Sequence, residues 1–96
     1  MKTIENKVQR KYMSQLLFND IKNFLKNRHD ISRKELCTTF NIFKYNTLKN
    51  EDSRGIGIGV SAKYGRSAIY TPQRIINYIE QKFKIVTEED IDFCNL

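Results

Sequence analysis

The chain has 96 residues, 40% of them apolar and only one of them proline, which suits one folded domain spanning 1–96 and excludes both a disordered segment and a catalytic domain beside a regulatory one. Its formal net charge is +6, with the excess of Lys and Arg confined to residues 1–84 and only acids in residues 85–96, the footprint of a nucleic-acid binder or of a partner for some other anionic surface. No run approaches the roughly 18 apolar residues of a membrane span, and MKTIENKVQRKYM lacks the apolar stretch of a signal peptide, so a cytoplasmic protein without a membrane partner is expected.

Met13, Leu17, Ile21, Phe24 and Leu25 recur at steps of four and three, opposite Lys22, Asn23, Lys26 and Asn27, which predicts an amphipathic helix. Ile4, Val8 and Tyr12 continue the stripe upstream. Residues 1–10 therefore read either as an extension of this helix, starting as early as Thr3, or as a basic N-terminal arm. After a polar loop from Asn27 to Asp30, Ser32 and Glu35 form a capping box, flanked by Ile31 and Leu36 as a hydrophobic staple. A helix from about Arg33 to Phe40 follows, burying Leu36, Cys37 and Phe40. Asn41 to Phe43 make a tight connection, and Lys44 to about Asp52 predicts a polar, exposed helix anchored by Leu48. Two short helices joined in this way are a helix-turn-helix arrangement.

From Ile56 the period changes to two. Ile56, Ile58 and Val60 alternate with Gly55, Gly57 and Gly59, a strand pattern. Ser61 to Gly65 reads as the turn and Ser67 to Tyr70 as the returning strand. Thr71 then caps a helix with Pro72 at its first position, Tyr70 and Ile75 as a staple, and Ile75, Ile76, Ile79 and Phe83 as its buried stripe. Thr87 to Asp90, between Val86 and Ile91, predicts a short acidic helix within residues 87–96. The expected fold class is mainly α with a small β-hairpin.

The glycines suggest a phosphate loop, but the templates fail. A G-x-G-x-x-G motif would need glycine where Val60 or Ala62 stands, and a P-loop would need Lys and Ser/Thr after Gly65, which is followed by Arg66. Glu51 and Asp52, and the cluster Glu88, Glu89, Asp90 and Asp92, read as loop or helix-start carboxylates. His29 stands in a polar loop without a nucleophile nearby. Cys37 and Cys94 have no metal-ligand spacing, and reduced thiols are expected of both. Accordingly, no catalytic residue, cofactor or metal is expected.

A basic and aromatic constellation remains. In a helix-turn-helix the second helix enters the major groove, and Lys44, Asn46, Thr47, Lys49 and Asn50 are residue types that reach phosphates and base edges. A hairpin carrying Lys63, Tyr64, Arg66 and Ser67 would then meet the adjoining minor groove, where arginine favours the narrow form of A-tracts.

The order of elements and the stretch from about Ile31 to Ile79 resemble winged helix-turn-helix DNA-binding domains of the MerR and excisionase type. Thr47-Leu48-Lys49, then Asp52 and Arg54-Gly55-Ile56, is similar to that group's Thr-Leu-Arg, acid, Arg-Gly-Leu pattern, and Ile69-Tyr70-Thr71 with Ile75 resembles its closing strand and next helix. Ala68 departs from the arginine common there, and the turn before Thr47 is one residue longer. Gly65-Arg66-Ser67-x-Ile69-Tyr70-Thr71 also resembles the wing of small centromere-binding adaptors of tubulin-type plasmid and phage partition systems. These resemblances imply a recognition helix around Lys44 to Lys49 and a basic wing at Lys63 to Arg66.

The function expected is therefore double-stranded DNA binding, as a homodimer on AT-rich repeats or palindromes. The dimer would pair through the stripe at Ile4 and Val8 or through Ile91 and Phe93. The biological role would be that of a small transcriptional regulator, or of a centromere-binding adaptor that recruits a partition motor, in a phage or plasmid. The alternative is a protein-interaction module, such as a phage-encoded inhibitor of a host protein, with its basic face against an acidic partner.

Overall fold

The computed structural model describes residues 11–87. In chain order they form strand β1 (Lys11–Ser14), helix α1 (Gln15–Leu25), β2 (Ile31–Ser32), α2 (Arg33–Thr39), α3 (Tyr45–Ser53), the hairpin β3 (Ala62–Tyr64) and β4 (Ser67–Tyr70), α4 (Pro72–Lys82) and β5 (Phe83–Val86). The described residues form a small mixed α/β domain of four helices and two small sheets. β1 pairs with β5 in parallel, and β2, β4 and β3 form an antiparallel sheet in that order.

Serine oxygens set two helix starts. The Leu17 N–H donates to Ser14 Oγ and the Glu35 N–H to Ser32 Oγ, both at 3.0 Å, so each serine satisfies a backbone donor the helix leaves free. The capping box at Ser32 is completed differently from the sequence expectation: the Glu35 carboxylate instead accepts from Arg28 at 2.6 Å. α4 opens where expected, with Thr71 at the N-cap and Pro72 in the first turn, but the Thr71 side chain makes no capping hydrogen bond.

Three expectations are corrected. The first helix starts at Gln15, not at or before Met13, because Ser14 caps it and the preceding residues pair as a strand, with Met13 opposite Ile85. α4 ends at Lys82, and Phe83 opens β5 rather than closing the helical stripe. Met13 and Phe83 are buried all the same, but from strands. Ile4, Val8, Ile91 and Phe93, and the acidic helix expected within 87–96, lie outside the described residues apart from Thr87.

The third correction concerns the glycines. No strand covers Ile56 to Val60; Ile58 is buried, while Ile56 and Val60 are 44% and 38% exposed. α3 closes in a Schellman arrangement, with the Ile56 N–H donating to the Glu51 carbonyl at 3.0 Å and the Gly55 N–H to that of Asp52 at 3.1 Å. Gly55 sits at the left-handed position such a cap requires, with φ of +77°. The chain then wraps Asp52, so the first strand of the hairpin forms only at Ala62. The residues read as turn, Ser61 to Gly65, include all of β3, and the reversal is the pair Gly65–Arg66, with glycine first as a type II′ turn prefers.

The core lies between the helices and the sheet. Met13, Ile21, Leu25, Ile31, Leu36, Leu48, Tyr70, Ile75 and Ile79 are fully buried. Ile31 and Tyr70 face each other across β2 and β4, and Leu48 binds α3 to this core.

Candidate nucleic-acid interface

α3 follows α2 after the connection 40–44 and contributes one wholly buried side chain, Leu48. Lys44, Asn46, Thr47, Lys49 and Asn50 are all exposed. At 3.6 residues per turn, Asn46, Asn50 and Ser53 project opposite Leu48, while Tyr45 and Lys49 stand one turn apart on an adjoining face.

The hairpin holds its four expected residues at its outer end. Tyr64 pairs with Ser67 as the last rung before the turn, and Lys63 with Ala68. Lys63, Tyr64, Arg66 and Ser67 are exposed, Tyr64 by 64%, whereas Ala68, Ile69 and Tyr70 on β4 are buried. The hairpin is thus anchored by β4 and presents its polar end to solvent.

Between α3 and the hairpin lies an open cleft of about 560 Å³, lined by residues that include Tyr45, Lys49 and Ser53 of α3 and Lys63, Gly65 and Arg66 of the hairpin. It brings Lys49, Lys63 and Arg66 to one surface. Lys44, Asn46, Thr47, Asn50, Tyr64 and Ser67 are not part of its lining. A second open cleft, of about 530 Å³, runs along α4 and is lined by Gln73, Arg74, Asn77 and Gln81 among others.

Arg33 and Asp52 also line the first cleft, and they were not anticipated as part of the site. Asp52 Oδ2 accepts from Arg33 Nη2 at 2.9 Å and from the Tyr70 hydroxyl at 2.6 Å, and Oδ1 accepts from the Gly59 N–H at 3.0 Å. Arg33 Nε donates to the Tyr70 oxygen at 2.9 Å, closing a triangle of side chains. The ion-paired side chains are 9% and 7% exposed. Burial by itself would lower the Arg33 pKa, but the bonds to Tyr70 and Asp52 outweigh it and raise the value, so the guanidinium stays charged. Burial also raises the Tyr70 pKa, so its hydroxyl remains a donor for Asp52.

The reading of Glu51 and Asp52 as loop or helix-start carboxylates is corrected by these contacts. Both stand in the last turn of α3, where the helix dipole disfavours negative charge. Tertiary bonds offset that penalty: Asp52 holds Arg33 and Tyr70, and Glu51 Oε1 accepts from the Tyr78 hydroxyl at 2.6 Å. That misplacement of two acids at a helix C-terminus was the available sequence signal. Tyr45 was missed as well; it is 42% exposed, lines the cleft and stacks over the Arg33 guanidinium at 5.5 Å.

The electrostatic consequence is one-sided. Among the described residues the ion pairs are Arg28–Glu35 and Arg33–Asp52, so the surface lysines of α3 and the basic residues of the hairpin have no acidic partner there. Among the same residues no group of three or more His, Cys, Asp or Glu side chains could hold a metal ion, and no helix is long and apolar enough to cross a membrane. No family model, no curated protein and no solved structure matches the chain.

Proposed function

We propose that the protein binds double-stranded DNA as a winged helix-turn-helix domain, with α3 in the major groove and the β3–β4 hairpin over the adjoining minor groove. The observation that carries this reading is the basic cleft, in which Lys49 of α3 meets Lys63 and Arg66 of the wing. A helix fits a major groove about 12 Å wide, and a hairpin beside it reaches the flanking backbone. Asn46 and Asn50, opposite the buried Leu48, are the candidate base readers, since a carboxamide pairs with the adenine edge through two bonds. Lys44, Lys49, Lys63 and Arg66 neutralise phosphates, Thr47 and Ser67 supply hydroxyl contacts, and Tyr64 packs against the sugar–phosphate edge.

One such module covers few base pairs, so the active form in this reading is a homodimer on repeated or palindromic half-sites. The role is that of a small transcriptional regulator or of a DNA-segregation adaptor, and the protein is not an enzyme. An adaptor would fill an iterated array and bind a filament-forming nucleotide hydrolase; a regulator would occupy one or two operators.

The test is a backbone-amide NMR titration of the full chain with a mixed-sequence duplex. The reading predicts shifts concentrated in residues 44–50 and 63–67. Shifts confined to α1 and α4, or produced by an acidic protein partner and not by duplex, would favour the interaction-module alternative.

A further inference from the structure

A wing and a recognition helix can grip one duplex only if their separation is held, because a misplacement of about 1 Å in such a site can cost much of its binding. Besides the burial of Ala68, Ile69 and Tyr70, the wing's hydrogen-bonded attachments to the body are few. β4 pairs with the body through Ile31 and Ser32 alone. Among the described residues, the hydrogen bond that joins α3 directly to the wing is that from the Tyr70 hydroxyl to Asp52. Asp52 also takes the Gly59 N–H from the segment leading into β3 and the Arg33 guanidinium from the start of α2. A single carboxylate at the end of α3 therefore touches α2, the approach to the wing and the wing's inner strand.

We propose that Asp52, with Arg33 and Tyr70, is the positioning unit of the DNA site: it fixes the wing against α3 so that Lys49, Lys63 and Arg66 act as one preorganised basic surface. This rests on the DNA reading above. None of the three side chains needs to touch DNA for the unit to work. Their burial beneath the cleft and their mutual bonds are what set the distance between the two gripping elements.

Charge and geometry make opposite predictions here. Neutralising an acid under a DNA-binding cleft would, by charge alone, strengthen binding. Positioning predicts the reverse for Asp52→Asn, which keeps the shape and an acceptor for Gly59 but loses the second carboxylate oxygen. Tyr70→Phe is the second variant, because it keeps the buried ring, leaves the Arg33–Asp52 pair and alters no charge.

The experiment measures duplex affinity and its salt dependence by fluorescence anisotropy for wild type, Asp52→Asn and Tyr70→Phe, each also in a Lys63→Ala/Arg66→Ala background, with circular dichroism to verify the fold. Both single variants should bind about fivefold or more weakly than wild type. In the Lys63→Ala/Arg66→Ala background the same substitutions should change affinity by less than about twofold, because the side chains they position are gone. Equal losses in both backgrounds, unchanged affinity, or tighter binding by Asp52→Asn would overturn the positioning role. If wild type failed to bind duplex at all, the DNA reading would fall first and this inference with it. If Asp52→Asn did not fold, Tyr70→Phe alone would decide.

Discussion

Gly57 lies so close to Asp52 that a methyl group on its Cα would overlap the Oδ1 oxygen and come within 2.8 Å of the Asp52 backbone nitrogen. The loop after α3 is wrapped around that side chain. Gly57→Ala must move either the backbone of α3 or the carboxylate that holds Arg33 and Tyr70, and overpacking of this kind costs about 1–3 kcal/mol. At Gly55 a methyl group would meet nothing within 4 Å, but the backbone is left-handed at φ of +77°, so Gly55→Ala costs about 1–2 kcal/mol through conformation alone. The two losses separate by mechanism. Gly55→Asn should recover part of the Gly55→Ala loss, since Asn tolerates the left-handed region, whereas Gly57→Asn should be worse than Gly57→Ala. Urea unfolding of the four variants checks this; a Gly57→Ala protein as stable as wild type would contradict the packing described.

The two buried phenols set an alkaline limit on stability. Burial is the largest cause that raises the pKa values of Tyr70 and Tyr78 above the ordinary 10.0; at Tyr70 the bond from Arg33 opposes it and the bond to Asp52 adds to it, and at Tyr78 the bond to Glu51 adds to it. A group whose folded pKa exceeds its unfolded one contributes stability that is complete below the unfolded value and lost as pH rises through the folded one. With respect to these groups, the unfolding free energy should stay flat up to pH 10.0 and fall above it. Tyr78→Phe should make that alkaline decline shallower. Urea unfolding at stepped pH, followed alongside tyrosinate absorbance, measures both; ionisation of all five tyrosines in one step near pH 10 in the folded protein would contradict it.

Local signals made much of the fold legible, and long-range ones did not. The Ser32 cap of α2, the Thr71–Pro72 start of α4 and the β4 strand from Ser67 to Tyr70 each depend on a few adjacent residues, so the sequence pattern reaches them. β1 and β5 depend on Lys11–Ser14 meeting Phe83–Val86 across most of the chain, and a helical stripe through Met13 or Phe83 was the only local reading available. The glycine alternation misled for a similar reason. Its period matches a strand, but each backbone conformation there answers to the end of α3 and to Asp52. For the candidate site, residue type and position on α3 and the hairpin sufficed to select Lys49, Lys63 and Arg66. The triangle beneath them joins residues up to 37 positions apart, and no spacing rule connects Arg33 with Tyr70.

The most direct test of the central claim is the slope of log affinity for one duplex against log salt concentration, for wild type and for Lys63→Ala/Arg66→Ala. Each phosphate contact contributes about −0.9 to that slope in duplex DNA. The account predicts a steep negative slope for wild type, and a double variant that binds more weakly with a slope shallower by about two phosphate contacts. A double variant with wild-type affinity and slope would contradict the wing's role in DNA binding, and a salt-independent wild type would contradict DNA binding itself.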